Sequence, residues 1–386
     1  MSDAEPTSEP APAAPPAHEG DLRYSEAEDD LRAAVRSVLA DRADRAAAVG
    51  PDGTATLLAR AEAGEPYDPD LWHTLAVEVG TAGLLVPEAL GGAGAGHREA
   101  AVVLEELGRA VTPAPYLTGC VMATEALLAL DTGRDEVAQL LAAVASGRTT
   151  AVLAVPFSAS PWTPPAPLAA ADAVRGVADV PAATVLLVHR SDGLYAVDTA
   201  DADCAALTPL DLTRPLAVVA PGAGGRLIAG PAEAAEAVRR GLLAGAGLLA
   251  SEQVGIAEWC LDQSVRHTGE RHQFNRPVGS FQALKHRMAE LWLEVVSARA
   301  AARNAADALA AASPDAPVAV AVAQAYASDA AVHAAEECVQ LHAGIGMTWE
   351  HPVHLYLKRA KSTQLALGSP GAHRDALAAL VDLPAP

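Results

Sequence analysis

RHQFNRPVGSFQ, residues Arg271 to Gln282, follows one long helical pattern, opens another and carries polar groups at fixed spacing between them. The guanidinium of Arg271 offers a forked, permanently charged grip suited to a pyrophosphate, and the Gln282 amide can add a directional hydrogen bond. Read alone, Arg271 suits equally well a solvated helix end, where its charge complements the helix dipole.

On both sides of this stretch apolar residues recur at helical spacing, in four runs over 231–269, 280–311, 316–342 and 364–382. Ser280 stands where an N-cap belongs ahead of FQALKHRMAELWLEV, and Pro314 to Pro317 mark the break between the second and third runs. A four-helix bundle is the simplest packing for such segments. Helical spacing also fills Ser25 to about Leu130, as in DDLRAAVRSVLADRA and REAAVVLEELGRAV. Between about Thr149 and Ala229 short β-branched runs (AVLAV, ATVLLVH, GLYAV, LAVVA) alternate with Pro, Gly and Asp, which predicts a small β domain. The expected architecture is mainly α with a small β domain. It divides into an N-terminal helical domain over 24–148, a middle β domain over 149–230 and a C-terminal helical bundle over 231–386. The Pro-, Ala- and Glu-rich stretch over 1–23 reads as a disordered tail, not a signal peptide.

A formal net charge of −21, with no basic block, argues against a nucleic-acid partner. No apolar run approaches the roughly 20 residues needed to span a bilayer, so a soluble, cytoplasmic chain without membrane association is expected. Cys120, Cys204, Cys260 and Cys338 are far apart with no C-x-x-C pair, a pattern of reduced thiols. Cys260 and Cys338 fall on apolar faces of predicted helices, where small core residues are the plain reading. His342, His351 and His354 straddle a Gly-rich turn and a Pro, a spacing better suited to aromatic packing and loop hydrogen bonds than to a metal or acid–base site.

The Arg271–Gln282 stretch resembles the flavin-binding signature of acyl-CoA dehydrogenases. QLHAGIGMTWEHP, Gln340 to Pro352, is similar to the family's Q-x-x-G-G-x-G segment, with Gln340, Gly344 and Gly346 in register. VPEALGGAG, Val86 to Gly94, resembles the turn closing the family's N-terminal helical domain. With DLTRP at Asp211 to Pro215 and GSPGAHR ending at Arg374, the resemblance spans nearly the whole chain from about Tyr24. It implies the acyl-CoA dehydrogenase fold and FAD as cofactor. Arg271, Phe274, Gln282, Gln340 and Gly344 would touch the adenine-nucleotide half of the flavin. Asn275 and Ala343 stand where the family usually has glycine.

Two departures bear on chemistry. In the commonest branch of the family the base that removes the thioester α-proton is a Glu in an E-G-T-x-x-x-x-R segment, and that pattern laid on LGSPGAHR puts Leu367 there. In other members the base lies near the start of the helix leading into the Arg271 loop, which falls at about Gly245, beside Ala246. Neither position offers a carboxylate. The middle segment reads VPFSASPWTPPAP, Val155 to Pro167, in place of the T-E-P-x-x-G-S-D loop and tryptophan strand that pack on the isoalloxazine, and leaves Trp162 with Ser158 or Ser160 for part of that work. Glu252, Glu258, Glu270 and Glu350 are candidate replacement bases. Glu252 is the best placed, on an apolar stretch where desolvation would raise its pKa, although a Glu in a helical run is most often a solvated or paired surface group.

This pattern resembles the catalytic-base-lacking subunit of heteromeric bacterial acyl-CoA dehydrogenases of the steroid-catabolism type. Such a resemblance implies a homologous partner subunit carrying the base, an FAD shared with it in a heterotetramer, a bulky acyl-CoA thioester as substrate, and electron-transfer flavoprotein or a similar acceptor. Two other readings stay open: a stand-alone homo-oligomeric flavoenzyme with a non-standard base, and a flavin-free scaffold subunit.

Overall fold

The computed structural model describes residues 22–49, 53–169 and 171–383, so the expected tail lies almost wholly outside the described residues. Helices α1 (Glu26–Val49), α2 (Gly53–Glu62), α3 (Pro69–His73), α4 (His97–Arg109), α5 (Thr124–Leu128) and α6 (Asp135–Ala145) form the first helical part. Helix therefore continues past Leu130. The VPEALGGAG turn sits ahead of α4, inside this part, and does not close it.

Strands β1 (Ala151–Leu153), β2 (Val174–Ala178), β3 (Val185–Arg190), β4 (Gly193–Asp198), β5 (Asp203–Leu207), β6 (Leu216–Ala220) and β7 (Arg226–Ala229) then make two sheets, ordered β1-β3-β4-β7 and β2-β6-β5. β1 runs parallel to β3, and the other pairs are antiparallel. Val152, Val174, Val177, Leu186, Val188 and Val219 fill the core of this part, a use that suits their branched side chains.

The remainder is α7 (Pro231–Glu270), the hairpin β8 (His272–Gln273) and β9 (Arg276–Pro277), α8 (Gln282–Ala310), α9 (Ala316–His342), α10 (Val353–Gln364) and α11 (Pro370–Leu380). One helix was expected over 364–382; the chain instead breaks after Gln364. Leu367 (φ 51°) and Gly368 (φ 101°) leave helical geometry, Ser369 caps α11 by accepting from the Ala372 N–H at 3.3 Å, and Pro370 takes the first helical position. Ser280 is no N-cap either: its hydroxyl donates to the Pro277 carbonyl at 2.6 Å, and α8 begins two residues later.

The 40-residue α7 is the spine. It packs against α4, α8, α9 and both β3 and β4, and is buried around most of its circumference through Ala244, Ala246, Leu248, Leu249 and Ala250. Its crossing with α4 is set by two glycines. A Cβ on Gly108 would lie 2.1 Å from the Glu252 carbonyl oxygen, and one on Gly255 would lie 2.0 Å from that of Glu105. The two backbones touch with nothing between them. Gly255→Ala should therefore lower stability by about 1–3 kcal/mol or more through overpacking, read as a fall in melting temperature by circular dichroism. Gly269→Ala, at a position with no neighbour within 4 Å, should leave the melting temperature nearly unchanged.

Candidate active site and nucleotide contact

The two positions that could hold the α-proton base meet in space. A Cβ on Gly245 would stand 3.1 Å from Leu367 Cδ1 and 2.6 Å from Met122 Cγ. Leu367 is fully buried, its N–H donates to the Phe157 carbonyl at 2.8 Å, and it shares one continuous core with Met122, Leu153, Phe157 and Leu242. The spot is thus apolar and packed. Neither residue can accept a proton.

The middle loop closes over this spot. Trp162 Nε1–H donates to His373 Nδ1 at 3.0 Å, and the rings meet edge-on with centroids 5.8 Å apart. Since Nδ1 accepts, Nε2 carries the proton and donates to the Leu367 carbonyl at 3.1 Å. Ser160 Oγ accepts from the Trp162 N–H at 3.2 Å. Trp162 therefore latches the middle loop to the 367–373 turn, while Ser160 braces Trp162 within the loop. His373 is buried, and burial pushes its pKa down to about 4.

Glu252 lies elsewhere, inside an ionic cluster built from three separate segments. Arg214 donates to both its carboxylate oxygens at 2.9 and 2.7 Å, and Arg359 Nη1 donates at 2.9 Å. Arg359 also ion-pairs with Asp211 through Nε and bonds the Thr213 carbonyl at 3.0 Å and hydroxyl at 2.6 Å. All four charged side chains are at most 4 % exposed. Burial by itself would raise the Glu252 pKa, but Arg214 and then Arg359 outweigh it and hold the carboxyl below its ordinary value. The raised pKa expected from burial alone is overturned by these two cations. Glu258 is likewise engaged, ion-paired with Arg299 and, at 3.7 Å, with Arg109, while Glu270 and Glu350 are exposed.

The predicted nucleotide contacts lie at one end of the helical bundle. Phe274 (φ 55°) and Asn275 (φ 62°) form the two-residue turn of the β8–β9 hairpin with both residues left-handed, the type I′ pattern. Phe274 sits at its tip, 84 % exposed. Arg271, Gln282, Gln340 and Gly344 are also exposed. The His267 and His342 rings, 4.3 Å apart, bring the end of α9 beside the end of α7, so the two predicted halves are neighbours. The His342 ring also lies tilted by 45° against His351 at 4.3 Å, and His354 meets Trp349 edge-on at 4.8 Å, so these histidines pack as aromatic rings. Arg271, Phe274, Gln282 and Gln340 thus present an outward cation, an aromatic ring and amides at one end of the bundle.

Among the described residues no group of three or more His, Cys, Asp or Glu is arranged to hold a metal ion, and no helix is long and apolar enough to cross a membrane. Sequence reasoning missed His373 and Arg359. For Arg359 the signal was an arginine on the apolar face of a helical run, a placement that requires a buried anion.

Family models for the acyl-CoA dehydrogenase N-terminal domain and the acyl-CoA dehydrogenase C-terminal domain match residues 25–148 and 235–381. The chain is 38 % identical over 342 residues to acyl-CoA dehydrogenase IpdE2 of Mycobacterium tuberculosis, covering 88 % of this chain and 92 % of that protein. The chain belongs to the acyl-CoA dehydrogenase family. Its IpdE2 relative in Mycolicibacterium smegmatis is 39 % identical over 305 residues, 79 % of this chain and 85 % of the relative. Among solved structures, the ChsE4-ChsE5 complex from Mycobacterium tuberculosis matches with a TM-score of 0.81 at 25 % identity, over 95 % of this chain and 100 % of that one. A Tcur3481-Tcur3483 steroid acyl-CoA dehydrogenase variant matches with a TM-score of 0.78 at 27 % identity, over 92 % and 98 %. The family consists of FAD-dependent oxidoreductases.

Removing the Glu252 charge should act on stability. Glu252→Gln leaves Arg214 and Arg359 facing a neutral amide in a dry site, and breaking such a buried pair costs about 3–5 kcal/mol, measurable by urea denaturation. A 10²- to 10⁴-fold loss of turnover in a variant of unchanged stability would instead mark Glu252 as a base. Acid should also weaken the fold through His373. The unfolded imidazole takes up a proton below about pH 6.5, whereas the folded one does so only near 4, so stability falls as pH drops through that window. His373→Gln should flatten the slope by up to about 1.4 kcal/mol per pH unit, read from urea midpoints between pH 6.5 and 4.5.

Proposed function

We propose that this chain is the non-catalytic subunit of a heteromeric acyl-CoA dehydrogenase that makes α,β-unsaturated acyl-CoA from a bulky acyl-CoA, such as a steroid side-chain thioester. One observation carries the reading: Gly245 and Leu367 face each other in a packed apolar core, so this chain has no proton acceptor at either place where the family keeps its base. A homologous partner supplies the base and the flavin cradle. Bound there, FAD accepts the hydride equivalent that leaves the acyl β-carbon.

In this reading Arg271 grips the pyrophosphate, Phe274 and Gln282 flank the adenine-nucleotide half, and Gln340 on α9 and Gly344 in the turn after it complete the contact. The outward projection of this set supports a contact across subunits. Trp292 on α8, at 57 %, and Met347 and Trp349 on the α9–α10 connection, at 84 % and 67 %, are also large exposed apolar groups, of the kind that interfaces cover. The named complexes among the structural matches, ChsE4-ChsE5 and Tcur3481-Tcur3483, are of two-component form. Electron-transfer flavoprotein or a similar acceptor reoxidises the flavin, and the protein works in the cytoplasm.

The test is visible absorbance of the purified chain, alone and co-expressed with a homologue carrying a carboxylate at either base position. Flavin bands should appear only in the complex, at about one FAD per pair of chains, and Arg271→Ala should strip flavin from it. A yellow homo-oligomer of this chain alone, turning over substrate, would refute the reading. Full flavin retention by the Arg271→Ala complex would favour the scaffold alternative.

A further inference from the structure

Three histidine rings meet where two helices end and the connection to a third begins to turn back. His342, the last residue of α9, lies 4.3 Å from His267 in the last turn of α7 and 4.3 Å from His351 in the connection to α10, ring centre to ring centre. The connection folds onto this point: a Cβ on Gly346 would stand 2.9 Å from that of His342. Between the two, Ala343 adopts φ 54° and ψ −131°, a conformation that a residue with a Cβ keeps only when its surroundings hold it there. The contact of His342 with His351, which closes the chain over Ala343, supplies that hold.

The surroundings of the rings suit one positive charge and not two. The charged or titratable groups that act on them are Arg266, Glu270 and Arg271 of α7, Cys338 of α9 and His354 of α10. Of these only Glu270 is a carboxylate, and it is exposed. Burial would lower the His342 pKa, but Cys338, whose carbonyl accepts from Nδ1 at 2.7 Å, holds it above its ordinary value. The first proton therefore goes to His342. Burial and then the neighbouring His342 push His267 down, and the same two causes push His351 down to about 4. His354 is lowered as well, by burial and Lys358. His267 and His351 are each partly exposed, so protons reach them from solvent.

We propose that His267, His342 and His351 form a proton-operated catch, which holds the α9–α10 connection against the end of α7 at neutral pH and releases it in mild acid. Closed, the stack takes one proton and resists the next. Open, each imidazole is protonated below about pH 6.5, so acid draws the equilibrium toward the open form. Below that pH both forms hold the His342 proton, and the slope is left to His267 and His351. Each contributes up to about tenfold per pH unit until its closed-form pKa is reached. Opening relaxes Ala343 and carries Gly344 away from the end of α7 that bears Arg271. On the proposed function, that motion separates two of the groups assigned to the nucleotide; the catch itself works in the chain without flavin.

The experiment is hydrogen exchange read by mass spectrometry on the full chain, purified alone and compared at pH 6.5 and 5.0. The reporters are the amides of Gly346, Met347 and Thr348, which bond to the Ala343, Gly344 and Ile345 carbonyls within the turn. With the intrinsic pH dependence of exchange removed, peptides over 343–355 should lose about tenfold or more of their protection across that range. The buried middle of α7, over 241–257, should keep its own, which separates local release from the general acid weakening through His373. His351→Phe retains a ring but removes a proton site, and should flatten the loss; His267→Phe is the second variant should the first fold poorly. Protection over 343–355 that stays constant with pH, or falls equally in both variants and the unaltered chain, or falls only together with the middle of α7, would overturn the proposal. Because flavin is absent throughout, failure of the shared-FAD reading and failure of the catch are read separately.

Discussion

Two guanidiniums and two carboxylates, withdrawn from water together, hold the parts of this protein in register. Asp211 and Arg214 come from the turn after β5, Glu252 from the middle of α7, and Arg359 from α10. No pair of these charges tolerates burial without the others, since an isolated ion in such a place carries a large desolvation penalty. The cluster therefore closes only when the β domain, the spine helix and the late helix are mutually docked. Arg214 adds a contact over the Phe157 ring at 5.1 Å, which carries the constraint into the loop that continues to Trp162.

That docking has a chemical consequence. With the middle loop drawn onto the 367–373 turn, Trp162 and His373 meet, and Leu367 turns inward on a left-handed backbone. The side chain of a base at either position would point into the same small volume, now filled by Met122 and Leu367. The two positions that the family resemblance marks for a base are thus one place reached from two elements. In this chain that place belongs to the core.

The groups that the proposed function assigns to the nucleotide lie at the opposite kind of location, on an exposed rim. The β8–β9 hairpin forces Phe274 and Asn275 into positive φ, a conformation that disfavours a bulky aromatic, and the ring is left in solvent. Within the chain the Phe274 ring meets only the edge of Phe281, with centroids 6.1 Å apart, among the described ring contacts. Trp349 and Met347 on the α9–α10 connection are exposed as well.

Much of this was legible in the sequence. Helical period, β-branched runs and their punctuation by Pro and Gly located the spine helix, its two successors and the sheets, because those patterns report local burial directly. The absence of a carboxylate at Leu367 and Gly245 was equally plain, since residue identity alone decides whether a proton can be taken. What remained hidden depended on partners distant in the chain. Ser280 looked like a cap until the hairpin carried the Pro277 carbonyl to its hydroxyl, and the last helical run looked continuous until Leu367 was pulled into the core. Glu252 is the sharpest instance: its apolar neighbours argued for a raised pKa, and only the fold delivered Arg214 from 38 residues away and Arg359 from 107. Local pattern determines which segments are helix or strand, but the state of a buried charge is set by the Coulomb field of whatever the tertiary structure places beside it.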